Sequence, residues 1–210
     1  MKKRVIMCLA GVVLCAIAVA VFKLAALGVD PFQTMMAGLD NWLPIPFGTI
    51  HTIVSVVFLV FALLTDRKTI GLATFLNLFL LGYITQYTLD FLHMVFPSPS
   101  LLLRAVFLIV GFVMLCFSTA LLMTAKLGVS TYDTVAIVMA DKWHVGPFKY
   151  CRIGTDVACI VLGISIFLLS GGTPKAILDF LNVGTIGTAF CMGPLTDFFN
   201  VKVVRPMMEK

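Results

Sequence analysis

The chain has 210 residues, 60% of them hydrophobic and 12% charged, with mean hydropathy +1.08 and a formal net charge of +5. Soluble domains carry roughly 25% charged and about 45–50% apolar residues, and one core of this size cannot hide the surplus, so a soluble globular protein is excluded and the lipid bilayer is the solvent. The basic residues form no stripe interleaved with aromatics, which excludes nucleic acid as a partner.

A transmembrane helix needs about 20 mostly apolar residues. Six runs qualify or nearly do: Val5–Leu27, Ile50–Leu64, Ile70–Leu92, Leu101–Ala125, Ile153–Leu169 and Ala176–Phe199. The second and fifth need flanking residues to complete a crossing. Runs of this length predict helices, because a barrel would show alternating segments of about 10 residues. The opening Met-Lys-Lys-Arg suits a signal peptide. Yet the apolar run continues past any small-x-small cleavage site, so it is read as an uncleaved span.

After the first span comes LGVDPFQT at 27–34; after the fourth comes LGVSTYDT at 127–134, a lag of one hundred residues. At the same lag Arg4, Gly11, Val13, Ala20 and Ala25 match Arg104, Gly111, Val113, Ala120 and Ala125. A repeat in so apolar a chain points to a duplicated membrane unit. Gly28, Pro31 and Gly128 read as helix breaks. Asp30 is a good N-cap with Pro31 at the first helical position, and Ser130 with Asp133 resembles a capping box with Asp for Glu. Short helices are therefore predicted over Pro31–Leu39 and Thr131–Lys142, either lying on the interface or dipping in as re-entrant segments. Their N-termini suit an anionic group, unless the caps already satisfy the free N–H groups.

The predicted fold is all-α: a polytopic membrane protein of six transmembrane helices, built as two three-helix repeats (1–100 and 101–210) in one membrane domain. An odd number of spans per unit makes the repeats inverted. With a cytoplasmic N-terminus, twelve of the fifteen Lys and Arg residues fall on the inside, as the positive-inside rule requires. The expectation is a bacterial cytoplasmic membrane with both termini inside.

Polar residues within the spans supply the candidate site. Ala73, Thr74, Asn77 and Gly82 align with Gly184, Thr185, Thr188 and Gly193. Such residues serve helix packing and interhelical hydrogen bonds, or line a central pocket through Asn77, Thr185 and Thr188. Ionisable residues in hydrocarbon are expensive and face an interior or water. Asp156 is the leading buried charge, with Arg152 one turn before it on the same face; Asp133 is the second charge-bearing candidate. Asp90, Asp179 and Asp197 sit near span ends and read as interfacial. The six cysteines form no metal-binding spacing and read as packing residues. No GxSxG, HExxH, P-loop or GxGxxG occurs, so neither an enzyme nor a cofactor is expected.

Gly28, Pro31 and Phe32 form a Gly-x-x-Pro-aromatic motif, and Gly184, Thr185, Gly193, Pro194 and Asp197 a Gly–Thr…Gly pattern. Over the whole chain these resemble the YczE/YyaS/YitT group of bacterial membrane proteins, nearest to YczE. Gln33, where that group commonly has an acidic residue, and Ala73, where it usually has Gly, depart from it. The resemblance implies a multi-spanning inner-membrane protein and little about chemistry. Two functions follow from the pattern: a secondary transporter or exporter of an unidentified small solute, or a scaffold for another membrane complex docking through Lys126–Arg152 with Trp143, His144 and Tyr150. A homodimer or a membrane partner protein is compatible with so small a bundle.

Overall fold

The computed structural model describes residues 2–209. Of the residues singled out above, Asp179, Gly193 and Pro194 lie outside those whose side chains are described.

At the centre, α1 (Lys2–Ala25) lies against α6 (Leu101–Ala125). The two run antiparallel: a Cβ on Gly11 would stand 3.0 Å from Leu122, and one on Gly111 would stand 2.9 Å from Phe22. These are one contact made twice with the partners exchanged, since 11 and 22 become 111 and 122 at the repeat lag. Small residues permit such close approach, which in lipid substitutes for a hydrophobic driving force. Cys8, Val12, Ala16, Cys116 and Ala120 are fully buried along this seam.

Both helices stop in the same way. Ala26 (φ 46°) and Lys126 (φ 51°) enter the left-handed region, followed by Gly28 (φ 104°) and Gly128 (φ 103°). Left-handed residues end a helix by turning its last carbonyls away from the continuing chain. The short helices begin next, α2 over Pro31–Trp42 and α7 over Thr131–Ile137 with a π turn continuing to Lys142. Asp30 Oδ1 accepts the Gln33 N–H at 3.2 Å, and Ser130 Oγ accepts the Asp133 N–H at 3.1 Å. Both predicted caps therefore form, but the Asp133 carboxylate does not complete a box with Ser130, because it is drawn to Arg152.

The second spans are longer than their apolar runs, α3 covering Phe47–Thr65 and α8 Phe148–Leu169. Each short helix packs on the second span of the other half, α2 on α8 and α7 on α3. A Cβ on Gly163 of α8 would stand only 2.5 Å from the Thr34 carbonyl of α2.

The next long helix of each half starts against the end of α6 or α1. α4 (Leu72–Leu76), a π turn (Asn77–Leu81) and α5 (Gly82–Val95) form one rod, Leu72–Val95. The predicted run Ala176–Phe199 is instead broken, with α9 (Ile177–Phe180) ending before α10 (Val183–Phe199) starts. The first N–H groups of a helix lack internal acceptors. Here they are satisfied by the carbonyls freed where α6 and α1 end: Ala73 N–H donates to Leu127 O at 2.8 Å, and Gly184 N–H to Leu27 O at 2.7 Å. A helix that must meet that carbonyl cannot run unbroken from Ala176. α10 continues through a π turn (Asn200–Val204) into α11 (Arg205–Glu209).

Among the described residues, five helices are long and apolar enough to cross a membrane: Lys2–Ala25, Phe47–Thr65, Leu72–Val95, Leu101–Ala125 and Tyr150–Leu169. Their outward faces carry exposed Ile6, Val57, Phe91, Ile109 and Val157, an apolar surface that only acyl chains would solvate favourably. This is a multi-pass membrane protein.

Candidate functional site

The starts of α2 and α7 meet in the middle of the bundle. Phe32 stacks on Tyr132 with centroids 5.0 Å apart and planes 29° from parallel; the two residues hold the same position in the repeat. His51, from the first turns of α3, stands edge-on to Phe32 at 5.9 Å, and Phe58 leans on both rings.

A charge cluster continues from this stack. The Arg152 guanidinium lies over the Tyr132 ring, 4.5 Å from its centroid. It donates to Asp133 and pairs with Asp156 at 3.3 Å, while the Tyr132 hydroxyl donates to Asp156 Oδ1 at 2.5 Å. Arg152 thus joins α7 to α8, and each partner holds the other in one rotamer. Charge-assisted bonds of this sort are about twice as strong as neutral ones.

Beside the cluster lies a cavity of about 180 Å³. Its polar lining includes Asp30, Gln33, His51, Asn77, Asp133 and Arg152, drawn from both halves of the chain. Gln33 Oε1 and His51 Nδ1 are buried with no hydrogen-bond partner among the described residues. An unsatisfied buried polar atom costs about 1–3 kcal/mol. Two such atoms on one cavity are a cost that a bound solute or water would remove.

Of the residues expected from sequence, Asn77 and Asp133 stand on this wall. Asn77 opens the π turn of the third span, a distortion often found at functional positions. Asp156 stands behind the wall, holding Arg152 and Tyr132. Thr185 and Thr188 are placed elsewhere: Thr185 faces Gly28, and Thr188 Oγ1 donates to the Thr185 carbonyl at 2.9 Å. Gly28 and Gly128 form matching contacts, a Cβ on each meeting Thr185 Oγ1 and Thr74 Oγ1 at 2.9 Å. Sequence reasoning gave Asp30 only a capping role and gave Gln33, His51 and Tyr132 no site role. The signal for two of them was the repeat itself, since Gln33 and Phe32 stand one hundred residues before Asp133 and Tyr132.

Comparison with known proteins adds a family. The model of DUF6198, a family of unknown function, matches residues 2–201. The chain belongs to the DUF6198 family. It is 26% identical over 177 residues to an uncharacterized protein of Haemophilus influenzae, a match covering 84% of this chain and 73% of the relative. No solved structure matches it.

The chemistry available to this DUF6198 chain follows from the charge balance around the cavity. Three carboxylates, Asp30, Asp133 and Asp156, face one guanidinium. The N–H of Gln33, one of the free donors at the start of α2, is already taken by Asp30. Among the described residues Gln33 Oε1 has no donor to accept from. The site therefore has acceptors and negative charge to spare, which suits a solute that is cationic or rich in N–H donors.

Proposed function

We propose that this protein is a small secondary transporter that holds a cationic or N–H-rich solute in the central cavity. The observation that carries the reading is a polar cavity, lined from both halves, whose wall residues Gln33 and His51 each hold a buried atom without a partner among the described residues. In this reading residues 1–100 and 101–210 are two inverted three-helix units, with α10 as the sixth span. The antiparallel packing of α1 on α6 and the doubled Gly11–Leu122 and Gly111–Phe22 contacts support it, and inverted repeats with a midplane site are a recurrent transporter plan. The positive-inside distribution supports a bacterial cytoplasmic membrane with both termini inside. The Gly28–Pro31–Phe32 motif supports kinship with YczE. Non-enzymatic transport fits the lack of a catalytic motif in the sequence.

The test is uptake by proteoliposomes offered methylammonium, guanidinium and choline. Uptake above empty liposomes is expected, with a loss in Asp30→Asn and in Asp156→Asn while both variants elute as folded protein. Flux equal to empty liposomes for all three cations refutes the solute class; unchanged flux in Asp156→Asn removes the Arg152 cluster from the mechanism. Tags placed in the exposed segments 44–46 and 143–145, which follow the two short helices, should report opposite sides of the bilayer, and labelling from the same side overturns the inverted arrangement.

A further inference from the structure

The two ends of the α1–α6 pair are finished differently, although the repeat would make them alike. At one end Arg104, at the start of α6, donates to Ala25 O and Ala26 O, both at 2.6 Å, and so caps the C-terminus of α1. Its counterpart at the repeat lag is Arg4, at the start of α1, which faces the C-terminus of α6. Among the described residues Arg4 makes no such bond; it stands on a second cavity, of about 340 Å³.

Two further cations stand on that cavity. Lys126 follows the last residue of α6 and is held in the left-handed region at φ 51°. Arg205 follows the π turn after α10, and its Nε donates to Asn200 Oδ1 at 3.2 Å. Asn200 is itself buried and fixed by Thr124 Oγ1 at 3.1 Å, so Arg205 is anchored rather than waving in solvent. Among the described lining residues no carboxylate balances the three cations, and the remaining walls include Met123 and Met208.

We infer that Arg4, Lys126 and Arg205 form a binding site for a phosphate group, either the headgroup of an anionic phospholipid or a soluble phosphate. Three chain-distant cations converging on one cavity hold like charges together, and an oxyanion with several acceptor oxygens relieves that repulsion. Arginine is suited to it through its paired N–H groups and lysine through its point charge. Scattered snorkelling cations would place no cavity between them and would not be braced by a buried Asn. More than half of the Met123 surface is exposed, which offers an acyl chain a path beside the headgroup. The site adjoins the central cavity through Met123, which lines both, but its three cations are not on the central wall and its test does not depend on solute transport.

The full chain is to be purified into vesicles of phosphatidylcholine with and without phosphatidylglycerol, and separately titrated in detergent with inorganic phosphate, with native mass spectrometry and thermal melting as readouts. The expected result is one retained anionic lipid, or saturable stabilisation by phosphate, weakened roughly tenfold for each cation removed in Lys126→Gly, Arg4→Gln and Arg205→Gln. Lys126→Gly keeps the test clean, because glycine accepts the left-handed backbone without strain. Arg67→Gln with Lys68→Gln serves as a charge control, since neither residue lines the cavity and both are exposed. Retention of phosphatidylglycerol with no effect of phosphate assigns the site to lipid; competition by phosphate assigns it to a soluble ligand. Binding of neither anion, or an equal loss in the control and in the three site variants, overturns the inference.

Discussion

Replacing Gly28 by Ala tests the contact that joins the first break to the start of α10. At φ 104° a side chain is strained by about 1–2 kcal/mol. The added Cβ would also stand 2.7 Å from the Thr185 nitrogen and 3.0 Å from the Asn182 nitrogen, backbone atoms that cannot swing aside. Overpacking of this sort costs about 1–3 kcal/mol. Any retreat of α10 stretches the Gly184 N–H to Leu27 O bond, worth about 0.5–1.5 kcal/mol. The total is roughly 3–6 kcal/mol by these terms. Gly128→Ala should cost as much, its Cβ meeting the Gly71 nitrogen at 2.6 Å. Gly171 is the internal control: its φ is 86°, but no atom lies within 4 Å of a Cβ there, so Gly171→Ala carries the backbone strain alone. Buried cysteines, Cys8, Cys116, Cys151 and Cys159, make a thiol-reactive dye a natural reporter of melting. At about 2–4 °C per kcal/mol for a chain of this length, Gly28→Ala and Gly128→Ala should melt roughly 6–24 °C below wild type and Gly171→Ala only about 2–8 °C below. Three equal melting temperatures would refute the clash, leaving backbone strain as the whole effect.

Ala26→Gly should raise the melting temperature by a few degrees, since it relieves about 1–2 kcal/mol of left-handed strain at φ 46° against about 0.5–1 kcal/mol of glycine's extra chain entropy; a lower value would mean that the methyl group packs productively. A double-mutant cycle with Phe32→Leu and Tyr132→Leu should give a coupling of about 0.5–1.5 kcal/mol for the stacked pair, and additivity within error would separate the two rings. Arg152→Gln leaves Asp133 and Asp156 facing each other. Because the three side chains are 22–39% exposed, the loss should be about 1–3 kcal/mol, below that of a fully buried pair. Adding Asp133→Asn should restore part of it, as read from the same melting curves. No recovery would show that Asp133 contributes nothing through the cluster.

Much of this protein was written into short stretches of chain. The apolar runs were long enough to demand helices in lipid, and the Asp30 and Ser130 caps act within three residues, so their bonds formed as the sequence predicts. The Leu-Gly-Val breaks carry their own conformational signal, and the repeat lag pairs equivalent residues of the two halves. Packing alone decided the rest. Asp133 bonds to Arg152, nineteen residues away, instead of closing its own capping box, because a guanidinium offers more than one backbone N–H. The sixth apolar run breaks before Val183 because the first turn of α10 needs an acceptor, and the nearest free one is the Leu27 carbonyl at the end of α1. Gln33 and His51 became cavity residues only when each short helix crossed to the other half. Local propensity and capping are settled by neighbours in sequence, whereas the partner of a charge or a free carbonyl is settled by whichever surface is brought against it.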